Sequence, residues 1–593
     1  MATYAAPLRE IRFVLNEVLN AEQLSKLPGY EDATPDLFDA VLEEAAKLCV
    51  NELLPLNLSG DKEGCHYENG VVRTPAGFKE AYTKFIEGGW TSLSCDPEFG
   101  GQGMPHLLEF VVQELICSSN ISFGMYPGLS HGAYNALAQH GSDELKQRYL
   151  PKIVDGTWSG TMCLTEPHCG TDLGLMRTKA EPRGDGSYSI TGTKIFISAG
   201  EQDLTENIIH LVLAKLPDAP PGIKGISLFV VPKFLPTADG GVGARNGICC
   251  TGLEHKMGIN GSATCQITLE GATGWLVGEP NKGLAAMFVM MNVARIGVGM
   301  QGLGLTEVAY QNAVAYAKDR LQMRSLGGAK AADKPADPII VHPDVRKMLL
   351  TARAYAEGGR ALAMWTTLMV DKALVTDDED ERRDCEDLVA LMTPIVKAFL
   401  TDNAWIATSH CLQVFGGHGY VKEWGMEQFV RDSRINMIYE GTNTIQSLDL
   451  LGRKVLADNG KKLKKFGALV QAFVEEEGVR EDMQEFVNPL ADLGDKVTKL
   501  TTELGMKAFG NADEVGGAAV DYLRVCGHLV FAYFFARMAR IALDRKDSGD
   551  PFYTAKLHTA RFYFAKLLPE TSGLIRSARS GAAPLLAMDE ALF

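Results

Sequence analysis

RDSRINMIYEGTNTIQ, Arg431 to Gln446, holds a lone carboxylate, Glu440, between the apolar Tyr439 and a Gly441–Thr442 pair able to open a helix. A carboxylate in an apolar surrounding prefers to keep its proton, so burial would raise the Glu440 pKa and make it a base strong enough for a carbon-bound proton. Read alone, the stretch is as well explained by an exposed loop glutamate, or by one at a helix N-terminus gaining about 0.3–1 kcal/mol from the helix dipole.

Just upstream lies QVFGGHGY, Gln413 to Tyr420. Its three glycines let the backbone approach a phosphate or pyrophosphate closely, or simply end a helix. Arg320, at the end of a long helical pattern, is a candidate positive partner for a phosphate, or else a solvated helix-end arginine. Farther back, MCLTEPHCGTDLG spans Met162 to Gly174, where helical texture gives way to strands. Backbone amides there and the hydroxyls of Thr165 and Thr171 suit a polar planar ligand; an ordinary polar turn has the same composition.

Around these motifs the chain changes texture twice. From Pro35 to about Ala138 apolar residues recur at helical spacing, broken by the glycine-rich PEFGGQG turn at Pro97 to Gly103. Between Gly160 and about Leu276 short β-branched runs, among them SYSITGTKIFIS and GISLFVVPKFL, read as antiparallel strands of a small barrel or sandwich. Helical periodicity then returns over Met287–Arg320, Val345–Lys372, Glu386–Gln413 and Thr442–Ala457, a four-helix bundle with a loop at Arg324–Pro338. Phe486–Phe509 and Val520–Leu543 add further helices. The expected organisation is an N-terminal extension (1–35), a helical domain (36–159), a β domain (160–280), a helical bundle (281–458) and an appended helical domain (459–593), mainly α with one β domain.

A chain of 593 residues, 46% hydrophobic, can bury several cores, and a net charge of -16 argues against a nucleic-acid partner. The twelve cysteines form no paired C-x-x-C motifs, so no metal site is expected; Cys49, Cys117 and Cys526 sit among apolar neighbours, as free thiols of a reducing, cytoplasmic compartment do. The N-terminus carries Glu10 and Glu17 and no unbroken apolar core, so neither a secretory signal nor a transit peptide is expected. The apolar stretch Ala518–Leu543 is interrupted by Asp521, Arg524, Arg537 and Arg540 and reads as a buried helix.

Taken in order, CLTEPHCGTD, KIFIS, RIGVGMQGLGL, QVFGGHGY and RDSRINMIYEGTNTIQ resemble the acyl-CoA dehydrogenase family from about Leu37 to Arg453. The resemblance implies two helical domains flanking a β domain, with FAD between the strands and the second bundle. It implies that Met162, Leu164 and Thr165 line the flavin ring, with Phe196, Ile197 and Ser198 on its other side, where Trp-Ile-Thr is usual. Arg320, Gln322, Gln413, Gly416 and Gly417 resemble residues reaching the FAD of a neighbouring subunit, which implies at least a dimer. Thr442 and Asn443 resemble cofactor contacts, and Thr171, Asn292, Arg295 and Gly441 resemble substrate contacts, although many relatives carry Asp at Asn292.

Some relatives place the base beside that arginine, where this chain has Ala294. The Met287–Leu305 segment has no Asp or Glu, so the resemblance leaves Glu440 as the base. The implied reaction is α,β-dehydrogenation of an acyl-CoA, with an electron-transfer flavoprotein as electron acceptor. Gly128 and Gly132, at the floor of the acyl pocket in the family, point to medium or long chains; bacterial enzymes acting on 3-methylthiopropanoyl-CoA are similar as well. The C-terminal addition resembles that of very-long-chain relatives and implies a homodimer. An acyl-CoA oxidase or a non-catalytic assembly protein on the same fold are the rival readings.

Overall fold

The computed structural model describes residues 2–593 and divides into two compact units. One comprises residues up to Glu43, Phe110–Glu114 and Val298–Phe593; the other comprises Glu44–Glu109 and Leu115–Gly297. Near the N-terminus are the short helix α1 (Leu8–Arg12) and the amphipathic α2 (Pro35–Leu48).

The unit from Glu44 opens with α3 (Pro55–Glu63) and a small hairpin, β1 (His66–Glu68) with β2 (Val71–Arg73), before α4 (Phe78–Glu87). PEFGGQG forms the expected turn: Asp96 caps the Glu98 N–H and Gly100 takes φ +91, a conformation glycine adopts without strain. Helix α5 (His106–His140) is kinked at Asn120, and α6 (Asp143–Val154) starts on a Ser142 cap with Asp143 and Glu144 in its first turn. Both α6 features stabilise a helix N-terminus.

The strands that follow are β3 (Trp158–Cys163), β4 (Lys179–Pro182), β5 (Tyr188–Ser198), β6 (Asn207–Lys215) and β7 (Ile226–Pro232). A small hairpin of β8 (Phe234–Pro236) and β9 (Val242–Arg245) separates them from β10 (Ile248–Leu253) and the 14-residue β11 (Thr264–Val277). Pairings β11–β5–β4–β6–β7–β11 close a ring, with β10 and β3 added at its margins. Strand β7 is buried throughout and β6 along all but its last residue, which makes them the barrel's apolar wall. The all-antiparallel expectation is corrected at two places. β3 runs parallel to β6 over six register pairs, and β4 meets β6 in parallel at Lys179 and Lys215. A parallel neighbour needs a long crossover, and 43 residues separate Cys163 from Asn207.

Helix α7 (Gly283–Asp319) continues into the other unit, which holds α8 (Pro343–Val375), α9 (Glu379–Val414), α10 (Met426–Ile435) and α11 (Asn443–Leu448). The glycines of RIGVGMQGLGL permit close helix packing: a Cβ on Gly299 would come within 2.5 Å of Val396. The appended section supplies α12 (Lys461–Glu477), α13 (Gln484–Gly510), α14 (Asp513–Asp544), α15 (Pro551–Phe562) and α16 (Glu570–Ser580). α14 is long and apolar enough to cross a membrane, yet it is mostly buried, packed by α8, α9, α13 and α16. Its charges find partners: Arg524 pairs with Glu570, Arg540 with Glu477, and Arg537 donates to the Val18 carbonyl.

A charged core lies in this same unit. Arg360, 1% exposed, bonds Glu114 (2.6 Å) and Glu307 (2.8 Å), while Lys556 joins Glu10 and Glu357 (3.2 Å). Glu10 and Glu17, the latter bonded by the Tyr553 hydroxyl, tie the N-terminal segment to α15. The loop Arg324–Pro338 is organised around one buried carboxylate, Asp337, which accepts from the amides of Ser325, Lys330 and Ala331 and from Arg324. All twelve cysteines are free thiols, and only Cys65 and Cys249 are partly exposed.

Candidate active site

In the barrel-bearing unit, β3 runs out into Leu164, Thr165 and Glu166, and this strand end is pinned to β5. The Ile195 amide donates to the Thr165 carbonyl (2.9 Å), and Lys194, wholly buried, reaches the Leu164 carbonyl and the Glu166 carboxylate, both at 3.0 Å. Glu166 also accepts from the amides of Arg177 (2.8 Å) and Thr178 (3.1 Å). Burial penalises both charges and pushes the Lys194 ammonium down. For Glu166 the burial cost is outweighed by Lys194 and the surrounding donors, which hold its carboxyl below the usual range. Glu166, His168 and Cys169 bring potential ligand atoms within 4.8 Å of one another. The Glu166 oxygens are already committed to the donors just named, so this group carries no metal assignment.

The KIFIS segment then breaks strand geometry. Phe196 has φ +58 and Ala199 φ +54, a region that costs a non-glycine residue about 1–3 kcal/mol and recurs at ligand sites. The strained backbone presents the Phe196 ring to the outside, 58% exposed, while Ile197 is buried and Ser198 half-buried. An exposed aromatic face beside the half-buried Met162 and Thr165 and the buried Leu164 is a surface a flat, largely apolar ring would cover. Those residues fit the isoalloxazine of FAD. Thr171 is exposed in the turn after β3. On α7, Arg295 is 6% exposed with its guanidinium 5.8 Å from the Phe288 ring, Asn292 is exposed one turn earlier, and Ala294 is half-buried.

The helical unit brings together a second group. Arg320 and Gln322 are exposed just beyond the end of α7, and the Arg320 amide donates to Tyr316. The Tyr316 ring stacks on Phe415 (4.1 Å between centroids), and its hydroxyl lies 2.9 Å from His418 Nδ1. His418 in turn stacks on Trp424 (4.6 Å). This aromatic clamp fixes the glycine loop beside the helix end, where Gln413, Gly416 and Gly417 are exposed. Gly416 has φ +58, and a Cβ at Gly416 or Gly417 would meet nothing within 4 Å, so the backbone is open to a close-approaching ligand.

The third group is the Glu440 loop. α10 ends at Ile435, and two consecutive left-handed residues follow, Glu440 at φ +52 and Gly441 at φ +77. The buried Gln446 holds the bend by donating to the Gly441 carbonyl (3.1 Å) and the Glu440 carbonyl (3.5 Å). Tyr439 is anchored through Gln301 and Asn436. Glu440 is half-buried, with its Oε1 atom shielded from solvent. Thr442 caps α11 by accepting from the Ile445 amide. Asn443 turns into its own bundle: Lys397 donates to its Oδ1 (2.8 Å), and its Nδ2 donates to Asp402 (2.6 Å) and Thr401 (2.9 Å). Its backbone amide is bonded to the Met437 carbonyl.

Sequence reasoning overlooked Lys194 and the Tyr316, Phe415, His418 and Trp424 clamp. A lysine in an alternating strand reads as solvent-facing, and Tyr316 lies about a hundred residues from its aromatic partners. The one available signal was the run of aromatics bracketing the glycines, Phe415, Tyr420 and Trp424.

Four family descriptions match in succession: acyl-CoA dehydrogenase N-terminal domain over residues 38–157, middle domain over 161–272, C-terminal domain over 281–456, and an acetyl-CoA dehydrogenase C-terminal-like region over 466–589. The chain is 42% identical to the 3-methylmercaptopropionyl-CoA dehydrogenase of Ruegeria pomeroyi, covering 96% of this chain and 97% of that one. It is 34% identical to a butyryl-CoA dehydrogenase of Syntrophomonas wolfei (100% and 99% covered) and 33% to the broad-specificity linear acyl-CoA dehydrogenase FadE5 of Mycobacterium tuberculosis (100% of both). Similar solved folds include Caenorhabditis elegans ACDH-11 in complex with C11-CoA, with TM-score 0.78, 19% identity and 95% and 92% coverage. A Bacillus anthracis acyl-CoA dehydrogenase complexed with FAD gives TM-score 0.74, 21% identity and 93% and 89% coverage. Full-length likeness to relatives above 30% identity, on a chain whose motifs form the groups described, establishes this protein as a member of the acyl-CoA dehydrogenase family, a flavoprotein oxidoreductase that uses FAD.

Proposed function

We propose that this dehydrogenase acts on a short, linear acyl-CoA, with 3-methylthiopropanoyl-CoA the foremost candidate, and that Glu440 removes the α-proton. The observation that carries the substrate reading is at Gly132, in the segment that the family resemblance assigns to the acyl pocket floor. The volume left by its missing side chain is occupied by Met290: a Cβ there would come within 2.8 Å of Met290 Cγ and 3.0 Å of its Cε. Met290 is fully buried, so the depth expected from this glycine is filled by a thioether side chain. The 42% identical relative named for 3-methylmercaptopropionyl-CoA supports the same reading over the medium or long chains that the glycines alone suggest.

Proton abstraction next to a thioester needs a carboxylate whose direction is fixed. The left-handed Glu440–Gly441 bend, held by Gln446 and Tyr439, supplies that fixed direction and shields one carboxylate oxygen from water. The α-proton passes to Glu440 as the carbon–carbon double bond forms and the β-hydrogen leaves with its electron pair. When bound, FAD supplies the electron sink for that pair. Met162, Leu164, Thr165 and Phe196 to Ser198 would hold its ring system, and Arg320, Gln322, Gln413, Gly416 and Gly417 the more polar parts of a second FAD across a homodimer. Arg295, Asn292, Thr171 and Gly441 would contact the CoA thioester. An electron-transfer flavoprotein as acceptor and a cytoplasmic location complete the proposal.

Anaerobic flavin bleaching against a panel of acyl-CoAs, from butyryl to palmitoyl plus 3-methylthiopropanoyl, tests the reading. The expected result is fastest bleaching by the four-carbon and methylthio substrates; fastest bleaching by palmitoyl-CoA refutes it. Glu440→Gln should retain yellow flavin and lose about 10²–10⁴-fold in bleaching rate; an undiminished rate removes Glu440 as the base. Hydrogen peroxide formed stoichiometrically in air would instead mark an oxidase.

A further inference from the structure

The loop bearing Glu440 is braced from behind by the appended helices. α11 begins two residues after Gly441 and packs against both α9 and α14. Its first residue, Asn443, spends its whole side chain on α9, between the fully buried Lys397 and the carboxylate of Asp402. One residue beyond Asp402, α9 is bonded to the appended section: Arg524 of α14 donates to Asn403 Oδ1 (3.1 Å). The guanidinium sits 5.5 Å from the Phe399 ring, and that ring fills the space beside Gly527, where a Cβ would lie 2.4 Å away. Glu570 of α16 grips the other side of the same guanidinium with both oxygens. The half-buried Asp402 that receives Asn443 thus lies in the field of Arg524 and Lys397, with Arg434 adding to it.

A glutamate in left-handed geometry persists only where its surroundings over-determine it. Three sets of contacts do so here: Tyr439 on Gln301 and Asn436, Gln446 from within α11, and α9 with α14 beneath α11. We propose that the appended section positions the base, with Arg524 as a positioning residue acting through Asn403, Asp402 and Asn443 on the pose of Glu440. This rests on Glu440 being the base. It gives the appended helices a part in proton abstraction, since displacing a reacting group by about 1 Å can cost about 10²-fold in rate.

The test uses full-length holoenzyme carrying Arg524→Met, Arg524→Lys or Glu570→Gln. Single-turnover bleaching is measured per bound flavin, using the acyl-CoA that bleaches wild type fastest, with and without deuterium at the α carbon. Arg524→Met should lower the saturated bleaching rate about tenfold. Its α-deuterium isotope effect should be undiminished, its half-saturating substrate concentration within about twofold of wild type, and its flavin content unchanged. Arg524→Lys, which keeps a donor for Asn403, should recover part of the rate, and Glu570→Gln should lose about two- to fivefold. A purely structural role would lower thermal stability or flavin content and leave the rate per flavin at the wild-type value; that result overturns the proposal. Should Arg524→Met not fold, a wild-type rate in Glu570→Gln overturns it equally. A dead Glu440→Gln beside a wild-type rate in the Arg524 and Glu570 variants refutes the positioning role alone, whereas an active Glu440→Gln refutes the base assignment itself.

Discussion

The helical unit and the barrel-bearing unit bury ion pairs and histidines in different proportions. In the helical unit Arg360 sits between Glu114 and Glu307, and Lys556 between Glu10 and Glu357, all of them buried except the half-buried Glu10. In the barrel-bearing unit Lys194 pairs with Glu166 at a strand end and Lys233 with the buried Glu201, and beside these pairs stand histidines whose protonation burial disfavours. Burial takes His210 down to about 3, with Lys233 and Arg245 adding to the effect, and takes His131 down to about 4. Charges held in pairs make a core that a single substitution can wreck. Neutral histidines make one that acid can open.

The largest expected effect tests the first half of that contrast. Arg360→Met strands two buried carboxylates and should cost about 3–5 kcal/mol, read as a drop in the denaturation midpoint of the helical unit. Adding Glu114→Leu and Glu307→Leu should restore most of it, because the penalty is the uncompensated charge. A smaller loss, about 1–3 kcal/mol, is expected for Gly527→Ala, whose new methyl would press on Phe399. The acid test comes next. The folded pKa of His210 lies below the ordinary value of about 6.5, so the unfolded chain takes up the proton first. Its contribution is fully present above about pH 6.5 and is lost as pH falls toward about 3, at up to about 1.4 kcal/mol per pH unit. His210→Gln should flatten that slope in hydrogen exchange of the barrel strands, and an unchanged slope would erase the distinction. The mildest effect should follow Asp337→Asn: faster exchange at the amides of Ser325, Lys330 and Ala331 with the global midpoint unmoved.

The same contrast explains what the amino-acid order revealed. Long helices were legible because their signal is local and repeated: a pattern over Val345–Lys372 became α8 at Pro343–Val375, and Val520–Leu543 became α14 at Asp513–Asp544. The ten-residue α10 was passed over, since its polar MEQFVRDSRI offers only a few apolar positions. The β1–β2 hairpin, six residues inside a helical stretch, was missed for the same reason. In the barrel the runs that form β5, β6, β7 and β11 were readable, whereas the shorter β3, β4, β9 and β10 and the parallel β3–β6 pairing were not, because short strands show little alternation and register between distant strands is settled by tertiary packing. At the site, glycine punctuation marked the Gly416–Gly417 loop. Nothing local announces that Glu440 and Phe196 take left-handed backbones or that Asn443 is spent on Lys397 and Asp402; those depend on neighbours supplied by other elements.

The twelve thiols turn this division into something countable. Nine belong to the barrel-bearing unit and three, Cys385, Cys411 and Cys526, to the helical one, and ten of the twelve are sealed from reagent in the native fold. A slow-reacting alkylating label followed by peptide mass mapping would therefore record, cysteine by cysteine, which half of the molecule breathes first and how often. The chain carries its own distributed set of opening sensors, with Cys65 and Cys249 as the always-on reference.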